Sequence, residues 1–309
     1  MYYSSNQFAM KHVGLLFLFS VFFVSNLISQ EINMPDIIKP GATVEKLSGE
    51  FSFTEGPAAD AMGNVYFTDQ PNNRIMIWTT GDELLTFMQP SGRANGMFFD
   101  KKGDLWVCAD EKTELWKISP DKKVEVVLGK FNNEMLNGPN DVWVAPDGSL
   151  YFSDPYFKRA WWSHTAMPQD KQCVYYLSAD RKVLKRVVED MVQPNGLVGT
   201  ADGKTLYIAD MGGRKTYKYT IGPDGELTGK TLFCDLGSDG MTIDKKGNLY
   251  LTTRNGVTVF DKDGKQSGTI PVPEGWTANV CFGDKDRKTL YITASKGLYR
   301  IKTTVKGVW

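Results

Sequence analysis

Six oxygen-bearing side chains recur along this chain at the start of similar segments. Each opens a stretch that runs through a turn into a strand-like segment with Tyr or Trp, and the six are Glu55, Asn95, Asn140, Asn195, Asp239 and Asn279. Glu55 and Asp239 carry carboxylates, whereas the asparagines offer neutral carbonyl oxygens. Hard oxygens with two negative charges suit Ca²⁺, and Mg²⁺ or Mn²⁺ can also use them. These residues therefore predict a divalent-cation site, provided that the fold brings them together.

The spacing of these six residues indicates which fold would do so. Subtracting successive positions gives intervals of 40, 45, 55, 44 and 40 residues. Repeats of roughly 40 to 50 residues are typical of four-stranded propeller blades. If every copy occupies the same place in its blade, the six side chains form a ring at one mouth of the central channel, where the blades converge. The repeat predicts an all-β, six-bladed β-propeller.

A plainer interpretation of the six positions stays open, because Asn and Asp are also common turn formers that cap the backbone. Two carboxylates facing each other in a narrow channel would repel, and the pKa of one would rise, unless a cation lay between them. This repulsion favours a divalent metal over an empty channel mouth.

The strands that must position these residues are also visible in the sequence. Hairpin turns such as Pro146-Asp147-Gly148 separate the opening segment of a copy from its next strand. The sixth copy runs out of chain soon after Ile301, so residues Thr43 to Leu47 are predicted to complete its blade and close the ring. The longest interval holds an aromatic insertion, Tyr156 to Lys171, which is predicted either to overhang the channel mouth as a substrate lid or to pack on neighbouring blades.

The net charge and the N-terminal residues limit the class of protein to which this chain can belong. Lys plus Arg equals Asp plus Glu at 36 each, so the chain has no basic excess for a nucleic acid or an anionic membrane. Lys11 and His12 precede an apolar run that ends near Ser29, the layout of a cleavable signal peptide. We predict a signal peptide over residues 1–29, a single propeller domain over 30–309, export to the periplasm or the medium, and no stable membrane insertion after cleavage. A retained anchor is the alternative.

Other kinds of catalytic site find little support. The cysteines form no C-x-x-C pair and have no histidine nearby, so buried free thiols are predicted for Cys108, Cys173, Cys234 and Cys281, with disulfide pairing in an oxidising compartment as the alternative. His164 is the only histidine beyond the predicted signal peptide, and no G-x-S-x-G motif is present, which argues against a serine-hydrolase triad. His164 is instead assigned to the surface of the insertion.

The copies also resemble a known family. The segments EGP at 55, NDVWVAPDGSLYFSDPYF from 140, NGL at 195, SDGMTIDKKGNLYLTT from 238 and NVCFGDKDRKTLYITASKGLYRI from 279 are similar to those of the SMP-30/gluconolactonase/LRE-like family. The likeness covers nearly all of the chain after residue 29. Its last segment is especially similar to that of bacterial gluconolactonases.

The resemblance implies a six-bladed propeller that holds one divalent cation at the top of its channel, with Ca²⁺ favoured and Zn²⁺, Mg²⁺ or Mn²⁺ as alternatives. Carried over motif by motif, it assigns metal ligation to Glu55, Asn140, Asn195 and Asp239. In some relatives the N-D asparagine contacts substrate more than metal, so Asn140 has both assignments. The remaining ring members, Asn95 and Asn279, are expected to hold substrate hydroxyls.

The resemblance also implies an activity, hydrolysis of a small-molecule sugar lactone such as gluconolactone. In this hypothesis the lactone carbonyl is polarised by the cation, and Asp239 positions or deprotonates the attacking water. Two alternatives stay open, because a fold does not determine a substrate. One is a promiscuous esterase or phosphotriesterase on the same metal, and the other is a non-catalytic propeller that binds carbohydrate or protein and keeps calcium for structure.

Overall fold

The structure, a computed structural model, describes residue 1 and residues 32–309. Within these residues the fold is all-β, with six four-stranded antiparallel sheets, one short hairpin and a single turn of 3₁₀ helix at Gln70–Asn72. The innermost strands of successive sheets contact one another in chain order, and the last of them contacts the first. The predicted six-bladed β-propeller is confirmed.

The strands follow the chain blade by blade. Strand β1 (Glu45–Ser48) precedes the first complete blade, which contains β2 (Thr54–Ala59), β3 (Val65–Asp69), β4 (Arg74–Trp78) and β5 (Leu84–Met88). The second contains β6 (Ala94–Phe99), β7 (Leu105–Ala109), β8 (Glu114–Ile118) and β9 (Val124–Leu128), and a hairpin of β10 (Lys130–Phe131) and β11 (Glu134–Met135) follows it. The third contains β12 (Val142–Val144), β13 (Leu150–Asp154), β14 (Cys173–Leu177) and β15 (Leu184–Val188).

The remaining blades repeat this order. The fourth contains β16 (Pro194–Gly199), β17 (Thr205–Asp210), β18 (Lys215–Ile221) and β19 (Leu227–Cys234). The fifth contains β20 (Met241–Ile243), β21 (Leu249–Thr253), β22 (Gly256–Phe260) and β23 (Gln266–Pro271). The sixth contains only three strands from the C-terminal part of the chain, β24 (Thr277–Gly283), β25 (Thr289–Ala294) and β26 (Gly297–Lys302).

The sixth blade is completed by β1, as predicted. Strand β1 pairs antiparallel with β26, with Glu45 opposite Arg300 and Ser48 opposite Leu298. The guanidinium Nε of Arg300 also lies 2.8 Å from Oε2 of Glu45. The strand begins two residues later and ends one residue later than the predicted segment. Pairing the two ends of the propeller covers a sheet edge that would otherwise be open to another chain.

The core lies between the blades, because each sheet packs its faces on its neighbours. All five residues of β7 and of β14 are buried, which explains why these strands are almost continuously apolar and do not alternate. Aromatic side chains fill the space between sheets, and the fully buried rings of Trp143 and Tyr151 stack with their centroids 6.0 Å apart. This packing forms the wall around the channel.

Three further predictions have different outcomes. The four cysteines are buried and free, as predicted. The segment between β13 and β14 contains no helix or strand, so the insertion Tyr156 to Lys171 is a loop, which we call the lid loop. The predicted signal peptide lies outside the described residues and stays a prediction, together with export and the domain bounds. No helix in the described part of the chain is both long and apolar enough to cross a membrane.

Candidate functional site

The structure brings the six repeated residues together around the channel, and we call them the polar ring. Each lies in an innermost strand or within two residues of its start. Five of the side chains are buried, with exposed fractions of 7% or less, and only Asp239 is half-buried. The amide Nδ2 of Asn195 donates a hydrogen bond of 2.8 Å to Oδ1 of Asp239, and the backbone N–H of Gly96 donates one of 2.7 Å to the carbonyl of Asn140.

Glycines beside the ring members allow the innermost strands to come this close. Gly56 has a φ of +44°, and a Cβ there would lie 2.0 Å from the backbone oxygen of Asn95. A Cβ on Gly240 would lie 2.0 Å from Cγ of Asn279. Only a residue without a side chain fits at such contacts. The E-G and D-G pairs of the repeat therefore narrow the channel where the polar ring lies.

The two carboxyl groups of the polar ring face each other. Those of Glu55 and Asp239 lie within hydrogen-bonding reach, and Asp239 also accepts a hydrogen bond of 2.7 Å from the indole Nε1 of Trp276. Burial and the nearby Asp239 charge raise the pKa of Glu55 well above its usual range. Burial also raises the pKa of Asp239 to about 6, although hydrogen bonds from Trp276 and Asn195 favour its ionised form. Such a pair retains a proton near neutral pH unless a cation replaces it.

The donor atoms of the polar ring fit a divalent cation. Oδ1 of Asn195 and Oδ1 of Asn95 are buried and have no hydrogen-bond partner within residues 32–309. A buried oxygen without a partner is costly, and a hard cation is one way to satisfy it. Across the same residues, no three His, Cys, Asp or Glu side chains are grouped to hold a metal. A cation here would depend on asparagine oxygens as well as on Glu55 and Asp239.

The other ring members differ in what their side chains do. Oδ1 of Asn279 accepts a hydrogen bond of 2.8 Å from the backbone N–H of Val280, so this oxygen is already engaged by its own strand. The side chain of Asn140 makes no hydrogen bond in the described part of the chain, which leaves its amide free for a ligand. The assignments of Asn140, Asn95 and Asn279 to metal or substrate stay predictions.

A buried aspartate next to the ring was missed by sequence reasoning. The carboxylate of Asp141 accepts backbone hydrogen bonds from Val142 at 3.0 Å and from Leu197 at 3.3 Å. Burial raises the pKa of Asp141 to about 7, although these two hydrogen bonds favour its ionised form. Its position beside Asn140 in the N-D motif was the available signal. Asp141 links the innermost strands of two blades under the ring.

Two more residues near the polar ring were also missed. Trp276 lies in the loop before β24 and is 38% exposed. Its hydrogen bond to Asp239 could not be predicted, because a lone Trp in a loop does not indicate which residue it contacts. Arg159 of the lid loop lies with its Nε 2.8 Å from Oδ2 of the buried Asp110. Its charge favours the ionised forms of both Glu55 and Asp239.

The lid loop packs its aromatic side chains on a neighbouring blade. The indole Nε1 of Trp162 donates a hydrogen bond of 2.7 Å to the backbone oxygen of Asp110, which follows β7. The guanidinium of Arg93 lies 4.5 Å from the ring centroid of Trp161. His164 belongs to the lid loop as predicted, but it is half-buried and stacks on Trp162 with centroids 4.7 Å apart. The loop therefore crosses from the third blade to the second.

A cavity of about 550 Å³ occupies the channel on the other side of the polar ring. Its walls are residues that follow the ring members along the innermost strands, such as Met97, Leu197 and Met241, and it extends to Trp309. Asn279 is the one ring member in its wall, and the side chains of Glu55, Asn195 and Asp239 do not line it. Because it is mostly apolar and separate from the carboxyl pair, we place the candidate chemistry at the polar ring.

Comparison with known proteins agrees with this architecture. The profile of the SMP-30/Gluconolactonase/LRE-like region matches residues 53–296. A gluconolactonase of Zymomonas mobilis is 29% identical over 301 residues, which cover 88% of this chain and 84% of that protein. A solved gluconolactonase of Xanthomonas campestris superposes with a TM-score of 0.81 at 26% identity, covering 88% of this chain and 93% of the other.

A more distant similarity concerns the fold alone. The structure of a calcium-binding regucalcin of Agrobacterium tumefaciens superposes with a TM-score of 0.72 at 17% identity, over 85% of this chain and 94% of the other. The residues matched by the family profile, 53–296, include all six members of the polar ring.

Proposed function

The chain belongs to the SMP-30/gluconolactonase/LRE-like family, and from this membership we propose that it is a metal-dependent lactonase. Its gluconolactonase relatives support a lactone-hydrolysing enzyme with a small-molecule substrate. The finer proposal is that a sugar lactone such as gluconolactone is opened to the aldonic acid. The observation that carries it is the carboxyl pair of Glu55 and Asp239 at one mouth of the channel, in which Asp239 accepts a hydrogen bond from Asn195.

The residues that would hold the metal are Glu55, Asn195 and Asp239, with Asn140 as a fourth candidate. Two carboxylates and amide oxygens are the ligands that Ca²⁺ prefers, and the calcium-binding regucalcin on the same fold agrees with that choice. When bound, such a cation supplies Lewis-acid polarisation of a carbonyl group and neutralises negative charge that develops on its oxygen.

The proton transfers fall to the protein. Asp239 accepts hydrogen bonds from Asn195 and Trp276, which hold its carboxylate in a single orientation. In this position it takes a proton from a water molecule whose oxygen adds to the lactone carbonyl carbon. The ring C–O bond then breaks, and the leaving alkoxide receives the proton. Burial raises the pKa of Asp239 to about 6 in the metal-free site, and a bound cation would lower it, so the carboxylate is ionised near neutral pH and can accept this proton.

The remaining polar atoms suit a substrate rich in hydroxyl groups. Oδ1 of Asn95 and the hydroxyl of Tyr156 are buried without a hydrogen-bond partner in the described residues. Hydroxyls of a sugar lactone can donate to the first and pair with the second. Such unpaired groups favour a substrate that satisfies them and disfavour an apolar ester of the same size.

The test is hydrolysis of δ-gluconolactone, followed by acid release in weak buffer. Metal-stripped protein is assayed alone and after addition of Ca²⁺, Mg²⁺, Mn²⁺ or Zn²⁺. We expect activity above spontaneous hydrolysis only with an added cation, and most with Ca²⁺. Cation binding without lactone hydrolysis would contradict the proposal and favour another ester substrate or a binding protein with structural calcium.

The raised pKa values of the carboxyl pair predict that calcium affinity depends on pH. The cation needs ionised carboxylates, and Asp239 in the metal-free site is protonated below a pH of about 6. Affinity should therefore rise with pH, by about tenfold per pH unit for each proton displaced, and level off above the pKa values of both groups. Calcium titrations from pH 5 to 8 measure this slope.

A matched variant identifies the source of the protons. In Asp239→Asn calcium binding should displace one proton fewer, because only Glu55 then titrates in the pair. The plot of the logarithm of calcium affinity against pH should therefore be less steep by about one unit. Equal affinity of the wild-type protein at pH 5 and at pH 8 would contradict the assignment of both carboxyl groups to the metal.

A further inference from the structure

The cavity of about 550 Å³ on the far side of the polar ring has no part in the proposed lactone hydrolysis, and we call it the channel cavity. Its volume lies within the range of roughly 300 to 1,000 Å³ that is usual for small-molecule sites. Its wall along the innermost strands is apolar and includes Met97, Leu197, Val198 and Met241. Such a wall offers water few hydrogen bonds, so burial of an apolar group there is favourable.

The outer end of the channel cavity is charged. The hairpin turns that follow β2, β6 and β24 contribute Asp60, Asp100, Lys101 and Arg287 to its wall. Because the innermost strands begin at the polar ring and run away from it, these turns lie at the opposite end of the channel. Met62 of the first turn also lines the cavity and is 64% exposed, so this end meets solvent.

The acidic and basic groups at this end differ in how they are engaged. The carboxylates of Asp60 and Asp100 each accept three hydrogen bonds from their own blade, at 2.8 to 3.1 Å. Lys101 and Arg287 form no ion pair within residues 32–309, and each donates to a backbone carbonyl instead. Nη1 of Arg287 is buried and has no hydrogen-bond partner in this range. A buried donor without a partner is costly, and an anionic oxygen satisfies it well.

The inner end of the channel cavity disfavours an anion. The charged residue in its wall there is Asp141, which directly follows the ring member Asn140. A second carboxylate beside this buried one would be repelled, and little solvent is present to screen the repulsion. The negative group of a ligand therefore belongs at the outer end, next to Arg287, and its apolar part belongs inside.

A monocarboxylate with an unbranched apolar chain has these properties. The channel cavity runs along the innermost strands from Asp141 to the turns, which suits an extended chain. We propose that it binds a medium-chain fatty acid, with the chain between the innermost strands and the carboxylate at Nη1 of Arg287. Lys101 adds a second positive charge at the same end. This site is separate from the polar ring, so the inference does not depend on the proposed lactonase function.

The experiment compares ligands that differ in chain length or in charge. Binding of butanoate, hexanoate, octanoate and the neutral octanamide to the Ca²⁺-saturated protein is measured by calorimetry for the wild type, Arg287→Met, Arg287→Lys and Lys288→Met. Lys288 is an exposed neighbour that does not line the cavity, so its variant removes one positive charge from the same turn. Octanoate binding is repeated after chelation of Ca²⁺, because a carboxylate can also bind a cation at the polar ring.

We expect the affinity of the wild type to rise about fourfold for each methylene from butanoate to octanoate, the usual gain for burying one. Arg287→Met should weaken octanoate binding about tenfold or more and change octanamide binding less than about twofold, because only the carboxylate loses a charged hydrogen bond. Arg287→Lys should be intermediate. Lys288→Met, and the wild type without Ca²⁺, should bind octanoate like the Ca²⁺-saturated wild type.

Three results would overturn the inference. Equal affinities for butanoate and octanoate would indicate ion pairing at the surface only. Loss of octanoate binding on chelation would place the ligand at the polar ring. Octanoate affinity that is unchanged in Arg287→Met, or reduced no more than that of octanamide, would remove Arg287 from the site. If Arg287→Met does not fold, the ratio of the octanoate and octanamide affinities in Arg287→Lys decides.

Discussion

Replacing Asp239 by Asn is expected to lower kcat for lactone hydrolysis by roughly 10²- to 10⁴-fold at saturating metal, the usual contribution of one general base. Asn has nearly the same shape but cannot accept a proton from water. It also offers only one oxygen to the two donors that Asp239 now satisfies, Nδ2 of Asn195 and Nε1 of Trp276. One of these hydrogen bonds is therefore lost as well. Steady-state kinetics at several metal concentrations measure the change.

The control is Asp235→Asn, an exposed aspartate four residues earlier that lies outside the polar ring. It removes the same charge from the same stretch of chain and should leave kcat unchanged. Calcium titration of Asp239→Asn shows how much of its loss comes from weaker metal binding. Turnover near the wild-type value in metal-saturated Asp239→Asn would eliminate Asp239 as the base.

Replacing Glu55 by Gln should act mainly on metal affinity. Residues that merely support a ligand are worth about 10- to 100-fold in metal affinity, so the loss of a charged ligand should raise the Kd for Ca²⁺ by more than about 100-fold. Glu55 is buried, so no solvent-exposed carboxylate can take its place. The variant also lacks the charge repulsion between Glu55 and Asp239. Calcium titration by calorimetry or equilibrium dialysis gives the Kd.

Glu111→Gln is the matched control, because Glu111 is exposed and directly follows Asp110 near the same mouth of the channel. It tests whether loss of any nearby negative charge weakens the metal, and we expect its Kd for Ca²⁺ to stay within about twofold of the wild type. Unchanged calcium affinity in Glu55→Gln would mean that the ligand set is wrong. The thermal stability of both variants in metal-free buffer separates a folding defect from a binding defect.

The repeat in the sequence was sufficient to predict the architecture and the location of the site. A propeller blade is a local unit, so consecutive residues encode its strands and turns, and the predicted turn Pro146-Asp147-Gly148 does connect β12 with β13. Equivalent positions in repeated units must lie at equivalent places around the axis. For this reason the six members of the polar ring could be named before their contacts were known.

The contacts that complete the site could not be predicted in this way. The lid loop has no counterpart in the other blades, and its path to Asp110 depends on how Arg159 and Trp162 pack on a blade that precedes it in the chain. Trp276 meets Asp239 across 37 residues of sequence. Neither contact follows from a repeat, because each joins a loop of one blade to a neighbouring blade.

Sequence alone determined the six blades, the closure by the strand near residue 45 and the polar residues that surround the channel, because all of these follow from periodicity and local turn chemistry. Tertiary structure alone decided the orientation and charge of the groups at the mouth. It turned the oxygen of Asn279 toward its own strand, left that of Asn195 free, and brought Arg159 of the lid loop to the buried Asp110. Side-chain orientation and electrostatic environment arise from packing between distant segments, which no single repeat encodes.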